Sequence, residues 1–169
     1  TQVDPFSAKS RRFDPDIPGE IGWVNQNWLT HIVFYKMRDL FGENSIVVYK
    51  FIQAILTALF AYWAARVLGA HPTIAAVTAA FGMLLSRSFI DLRPNVSSIL
   101  FAMIMIYLLA RWRRGEHKML AWMIPVTIIW CNVHGGFIYA IMIFGIMLGG
   151  HLVQFAFRAS WPDRFVEID

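Results

Sequence analysis

Charge is scarce in this chain. Only 15% of its 169 residues are Asp, Glu, Lys or Arg, against roughly a quarter in a typical soluble domain. Cysteine is scarcer still: Cys131 is the single copy, which excludes an intrachain disulfide and any CxxC redox or multi-cysteine zinc arrangement. Lying inside an apolar run, it reads as a small packing residue. A P-loop, a GxGxxG fingerprint, a zinc-ligand spacing and a G-x-S-x-G elbow are all missing, so nucleotide-binding and serine-hydrolase chemistries lack their usual signatures. The first residues from Thr1 do not form a charged-then-apolar leader, and the expectation is a segment of a longer polytopic chain.

Apolar bulk is abundant. Hydrophobic residues make up 57% of the chain, with fourteen Phe, seven Trp and eight Met, and the mean hydropathy is +0.51. Trp63, Trp112, Trp122, Trp130 and Trp161 stand near the ends of apolar runs, where indole rings anchor helices at a membrane interface. The net charge of +4 sits mainly in short loops flanking those runs. It therefore needs no nucleic acid as a partner; basic flanking loops orient a polytopic protein in a lipid bilayer.

The pattern predicts an all-α, polytopic transmembrane helix bundle with about five crossings and an amphipathic helix on the outer face. Residues 1–44 read as an outer loop: Pro5, Pro15 and Pro18 among charged residues, then a surface helix carrying Trp28, Leu29, Ile32, Val33, Leu40 and Phe41 that ends at Gly42. Residues 45–169 read as the bundle, with helices at about 45–65, 73–87, 95–110, 119–133 and 137–157. Lys50, Gln53 and Thr57 share one face of the first of these and should look toward protein. Pro94 suits the start of the third and Pro125 should kink the fourth.

Basic residues Arg111, Arg113, Arg114 and Lys118, and again Arg158 and Arg164, follow the third and fifth crossings, which places that side in the cytoplasm by the positive-inside tendency. Three features then fall together on the outer face: the 1–44 loop, the Arg87–Asn95 loop and the Asn132–Gly136 interruption. The last is the most unusual, because an Asn, a His and two glycines break what would otherwise be one over-long apolar helix. Irregular backbone at membrane depth survives where it is buried in protein or lines a wet cavity. A connecting turn and the floor of a site both satisfy that condition. The glycine pair permits close backbone approach and positive φ.

That face collects Asp4, Asp14, Asp16, Asn25, Asn27, His31, Arg87, Asp91, Arg93, Asn95, Asn132 and His134. A carboxylate can serve as general base or hold a divalent metal ion, arginines can clamp a phosphate, and His134 can donate to a leaving oxygen. Against this, Arg87, Asp91 and Arg93 could pair among themselves and with phospholipid headgroups, and His31 and His134 could be hydrogen-bonded structural residues.

Four strings occur in order: Asp4-Pro5-Phe6-Ser7; Trp23-Val24-Asn25-Gln26-Asn27-Trp28-Leu29; Leu92-Arg93-Pro94-Asn95 with Ser97-Ser98; and Trp130-Cys131-Asn132-Val133-His134-Gly135-Gly136-Phe137. Together they resemble a group of bacterial inner-membrane proteins similar to the type C glycosyltransferase superfamily, the polyprenyl-phosphate-sugar-dependent mannosyl- and arabinosyltransferase-like proteins. The resemblance implies a cavity open to the outer leaflet where a lipid-linked sugar donor meets an acceptor, with a catalytic carboxylate at the outer end of the first membrane helix or early in the first outer loop. Asp4 is the nearest carboxylate to that place. Arg93, Asn132 and His134 stand in matching strings and carry over as cavity residues. The expected activity is sugar transfer from a polyprenyl-phosphate donor, with Asp4 and His134 catalytic and Arg93, Arg87, Asp91, Asn132 and His31 binding substrate. The competing expectations are a non-enzymatic subunit or scaffold of a larger membrane complex, and a transporter or lipid-handling protein.

Overall fold

The computed structural model describes residues 27–90 and 95–156. Among the described residues there are helices and no strands. The order is α1 (Trp28–Phe41), α2 (Asn44–Val67), α3 (Pro72–Leu85), a 3-10 turn Ser86–Phe89, α4 (Asn95–Arg113), α5 (Met119–Val133), a 3-10 turn Gly135–Phe137 and α6 (Ile138–Ala156). Local chemistry sets several boundaries. Gly42, at φ +80°, ends α1 and donates its N–H to the Arg38 carbonyl at 2.9 Å, the left-handed stop that glycine adopts without a Cβ clash. Pro72 opens α3, where a missing N–H costs no helical bond, and His71 accepts from the Thr73 N–H. Pro125 stands inside α5 and deprives the carbonyl one turn earlier of its donor.

α4 is the central helix. It packs on α2 and α5 and touches α6, and it buries Val96, Ser97, Ser98, Leu100, Met105, Leu108 and Ala110. Met105 and Leu108 form the core with Met123 and Trp130 of α5 and Ala140 of α6. The outward surface is also apolar: Ile74, Val77, Phe81 and Leu84 on α3, Ile124 and Ile128 on α5, and Ile141, Ile146 and Leu152 on α6 are exposed. Water would not tolerate contiguous apolar area on this scale, whereas lipid does.

This is a membrane protein with three helical stretches long and apolar enough to cross a bilayer: Asn44–Val67, Asn95–Arg113 and Gly135–Val153. The other two expected crossings form helices, but α3 and α5 have 14 and 15 residues. At 1.5 Å per residue they reach about 21 and 22 Å, short of the roughly 30 Å hydrocarbon core.

Cross-helix contacts fix which ends meet. Tyr49 near the start of α2 bonds Ser97 near the start of α4, O to O 2.9 Å, while Phe60 and Trp63 further along α2 pack against Tyr107 of α4. The Arg114 Nε donates to the Val67 carbonyl at 2.8 Å. α2 and α4 therefore run parallel, with α3 making the return between them in the chain. One end of the bundle gathers α1, the starts of α2 and α4 and the end of α5; the other gathers Arg66, Leu68 and the Arg111–Lys118 connection.

Candidate functional site

The end bearing α1 is where α5 stops. After Val133 the chain is extended at His134, φ −161° and ψ 144°, before the 3-10 turn and α6. A helix that stops in an apolar setting leaves carbonyls without donors, and here side chains supply them. The buried Thr30 hydroxyl of α1 donates to the Val133 carbonyl at 2.8 Å. The Trp28 Nε1–H donates to Asn132 Oδ1 at 2.9 Å, and the Asn132 amide donates to the Ile128 carbonyl at 2.7 Å. α1 is thus tied by side chains to the last turn of α5.

Beneath this lies a second set of bonds. The Trp130 Nε1–H donates to Ser98 Oγ at 2.8 Å, Ser98 Oγ lies 2.8 Å from His134 Nδ1, and the Gly136 N–H donates to the same Nδ1 at 3.0 Å. Indole and backbone N–H groups only donate, which sets the direction of every bond. Ser98 accepts from Trp130 and donates to His134; Nδ1 is an acceptor; the neutral imidazole carries its proton on Nε2. The Trp130 ring is fully buried and stacks on Phe101 of α4 with centroids 5.7 Å apart. Gly136 is the closest approach. A Cβ placed there would lie 2.8 Å from His134 Nδ1 and 2.9 Å from Ser98 Cβ.

The positive φ that the glycine pair could have supplied is not used. Among the described residues positive φ occurs at Gly42, Gly69 and Gly115, so Gly136 is required by contact with α4 rather than by backbone conformation.

Burial lowers the His134 pKa from its ordinary 6.5, because desolvation disfavours the imidazolium. Protonation would also put a hydrogen on Nδ1, facing the Gly136 N–H. A folded pKa below the unfolded one means that the unfolded chain takes up the proton first, so stability is full above pH 6.5 and is lost as pH falls from there toward the folded value. Thermal melting between about pH 8 and pH 5 should show a fall in midpoint on acidification that is smaller in His134→Asn, whose amide oxygen accepts without titrating. An identical pH dependence in both proteins would show that the imidazole is not its source.

Of the residues singled out in the sequence, the structure brings Asn132 and His134 into one hydrogen-bonded assembly with α1 and α4. Arg87 is exposed on the turn after α3, and makes no hydrogen bond or ion pair with a described residue. His31 is exposed on α1. Asp4, Asp91 and Arg93, with Asp14 and Asp16, lie outside the described residues. No three His, Cys, Asp or Glu residues converge as metal ligands among the described residues. Cys131 is a half-buried free thiol. Sequence reasoning missed Thr30, Ser98 and the indole N–H of Trp130. A Ser-Ser pair in the first turn of an apolar helix was the available signal, since a hydroxyl in that setting must find a partner.

No protein-family model, characterised protein or solved structure matches the chain.

Proposed function

We propose that the chain belongs to a polytopic membrane transferase that moves a sugar from a polyprenyl-phosphate donor, and that the end bearing α1 and the His134 turn faces the donor. The observation that carries this reading is the fixed orientation of His134. With Nδ1 occupied by Ser98 and Gly136, its Nε2–H is the remaining polar atom, a donor suited to a phosphate oxygen that gains charge as the sugar leaves.

In this reading the acceptor hydroxyl attacks the anomeric carbon from the face opposite the phosphate. The bond from anomeric carbon to phosphate oxygen breaks, polyprenyl phosphate departs, and a carboxylate, Asp4 as the nearest in sequence, takes the hydroxyl proton. Arg93 and Arg87 hold the phosphate, Asp91, Asn132 and His31 line the approach, and His134 aligns the leaving oxygen. Asp4 could hold a divalent ion, which would supply positive charge to offset that of the donor phosphate. The five-crossing topology belongs to the same reading, with α3 and α5 completing their passage through the flanking turns. The cations gathered at the other end support a cytoplasmic side there and an outer position in a bacterial inner membrane for the site.

The test is transfer from a polyprenyl-phosphate-linked radiolabelled sugar in membranes containing the full-length protein. Arg93→Ala and His134→Ala should each lower turnover by about a hundredfold or more, as loss of a transition-state donor does, at unchanged membrane abundance. Unchanged turnover in both would sink the enzyme reading.

A second reading has its own observation. Asn132, Thr30, Ser98 and His134 Nδ1 all find hydrogen-bond partners within the chain, as befits a clamp in a non-enzymatic subunit of a larger membrane complex. There the same substitutions leave activity of the complex intact, and changes on the lipid-facing side of α6 dissociate it during purification.

A further inference from the structure

At the end of the bundle away from His134, a cleft of about 370 Å³ opens between the end of α2, α4 and α6. Its size falls within the range of about 300–1,000 Å³ usual for ligand sites. Leu68, Ile106, Leu109, Ile143 and Met147 give it hydrocarbon walls, Gly150 leaves room on α6, and Arg113 and His151 are the polar groups of its lining. His151 packs edge-on against Trp112 with ring centroids 5.3 Å apart, joining α4 to α6 at one side.

The cations around this cleft are not equivalent. Arg66 donates to the Ala70 carbonyl, Arg114 to the Val67 carbonyl, and Arg111 to Glu116 and Tyr107. Each caps or closes a helix end. Arg113 is exposed and, among the described residues, has neither a hydrogen bond nor an ion pair. It is the last residue of a 19-residue crossing helix, which sets its guanidinium at headgroup depth above an apolar slot that descends into the hydrocarbon region. A guanidinium fork matches the oxygens of a phosphate, and basic pockets between membrane helices take anionic headgroups. The walls below it call for an alkyl chain. The molecule with both parts at that depth is a lipid of the surrounding bilayer.

We propose that this cleft seats one acyl chain of an anionic glycerophospholipid whose phosphate is bound by Arg113. The seat couples the far ends of α2, α4 and α6. It depends on membrane embedding alone and is independent of sugar transfer.

The experiment is native mass spectrometry of the full-length protein in mild detergent, supplied with equal dioleoylphosphatidylglycerol and dioleoylphosphatidylcholine. The wild type should retain one phosphatidylglycerol in preference to phosphatidylcholine. Arg113→Gln should lower that preference about fivefold, the share expected of one basic side chain at an anionic headgroup. Lys118→Gln, which removes a neighbouring exposed cation outside the cleft, should leave it unchanged. Gly150→Phe, built where a Cβ meets nothing within 4 Å, should fill the slot and abolish retention of either lipid. An undiminished preference in Arg113→Gln, an equal loss in Lys118→Gln, or full retention in Gly150→Phe would each overturn the assignment. So would a peptide found in place of lipid.

Discussion

Truncating Trp130 to alanine is expected to lower the stability of the bundle by about 3 kcal/mol, measured by unfolding in mixed detergent micelles. The side chain is fully buried, stacks on Phe101 and sits in the core cluster with Met105, Met123 and Ala140. Large-to-small changes at such positions in soluble cores cost about 3–5 kcal/mol. The lower end applies here because lipid is as apolar as the core, so lost packing contacts count and water exclusion counts little. Removal of the indole also takes the donor from Ser98 Oγ. Trp130→Phe helps to separate the two effects: an aromatic ring still stacks on Phe101 while the N–H and the smaller part of the indole volume are lost, and the cost should be about 1 kcal/mol. Equal losses in the two variants would show that the hydrogen bond, not the volume, dominates.

Gly136→Ala should destabilise by about 2 kcal/mol, within the 1–3 kcal/mol typical of overpacking. The added methyl would press on His134 Nδ1 at 2.8 Å and Ser98 Cβ at 2.9 Å. Both neighbours are held by the same hydrogen bonds that define the turn, so neither can swing away without breaking them. The comparison is Gly145→Ala on α6, where a Cβ meets nothing within 4 Å. Alanine there removes only the backbone freedom of a mid-helix glycine and should be neutral or stabilising by up to about 1 kcal/mol. If the two alanines behave alike, close approach is not why a glycine stands at 136.

Much of the helical framework was legible because each run of apolar residues is long and its ends are punctuated. α2 extends one residue before and two beyond the expected 45–65, α5 occupies the expected 119–133, and Gly42 ends α1 as its position in the sequence implied. Crossing number was less legible. Periodicity and apolar composition mark Pro72–Leu85 and Met119–Val133 as helices, but they do not set how much of the bilayer each one spans. That depends on the turns at their ends, such as Ser86–Phe89, whose geometry no local pattern specifies.

The interruption at Asn132–Gly136 shows the same division. Its polarity within apolar surroundings marks it at once as a place where backbone groups must be satisfied by something other than a helix. Nothing local says by what. Thr30 lies 103 residues from Val133, and Ser98 lies 36 from His134. The spacing of residues along one helix cannot encode the register of its neighbours.

By itself, then, the sequence determined that the chain folds as helices in a membrane, because few charges and long apolar runs leave a helix as the conformation that satisfies the backbone within lipid. Tertiary structure decided what the break in those runs is. Packing of α1 and α4 against the end of α5 chose which nitrogen of His134 accepts, and it made Gly136 a point of contact. It also left Arg113, alone of the neighbouring arginines, without a partner among the described residues, above an apolar cleft. Those outcomes depend on distances between helices, which close packing sets to a few tenths of an ångström and a one-dimensional pattern does not carry.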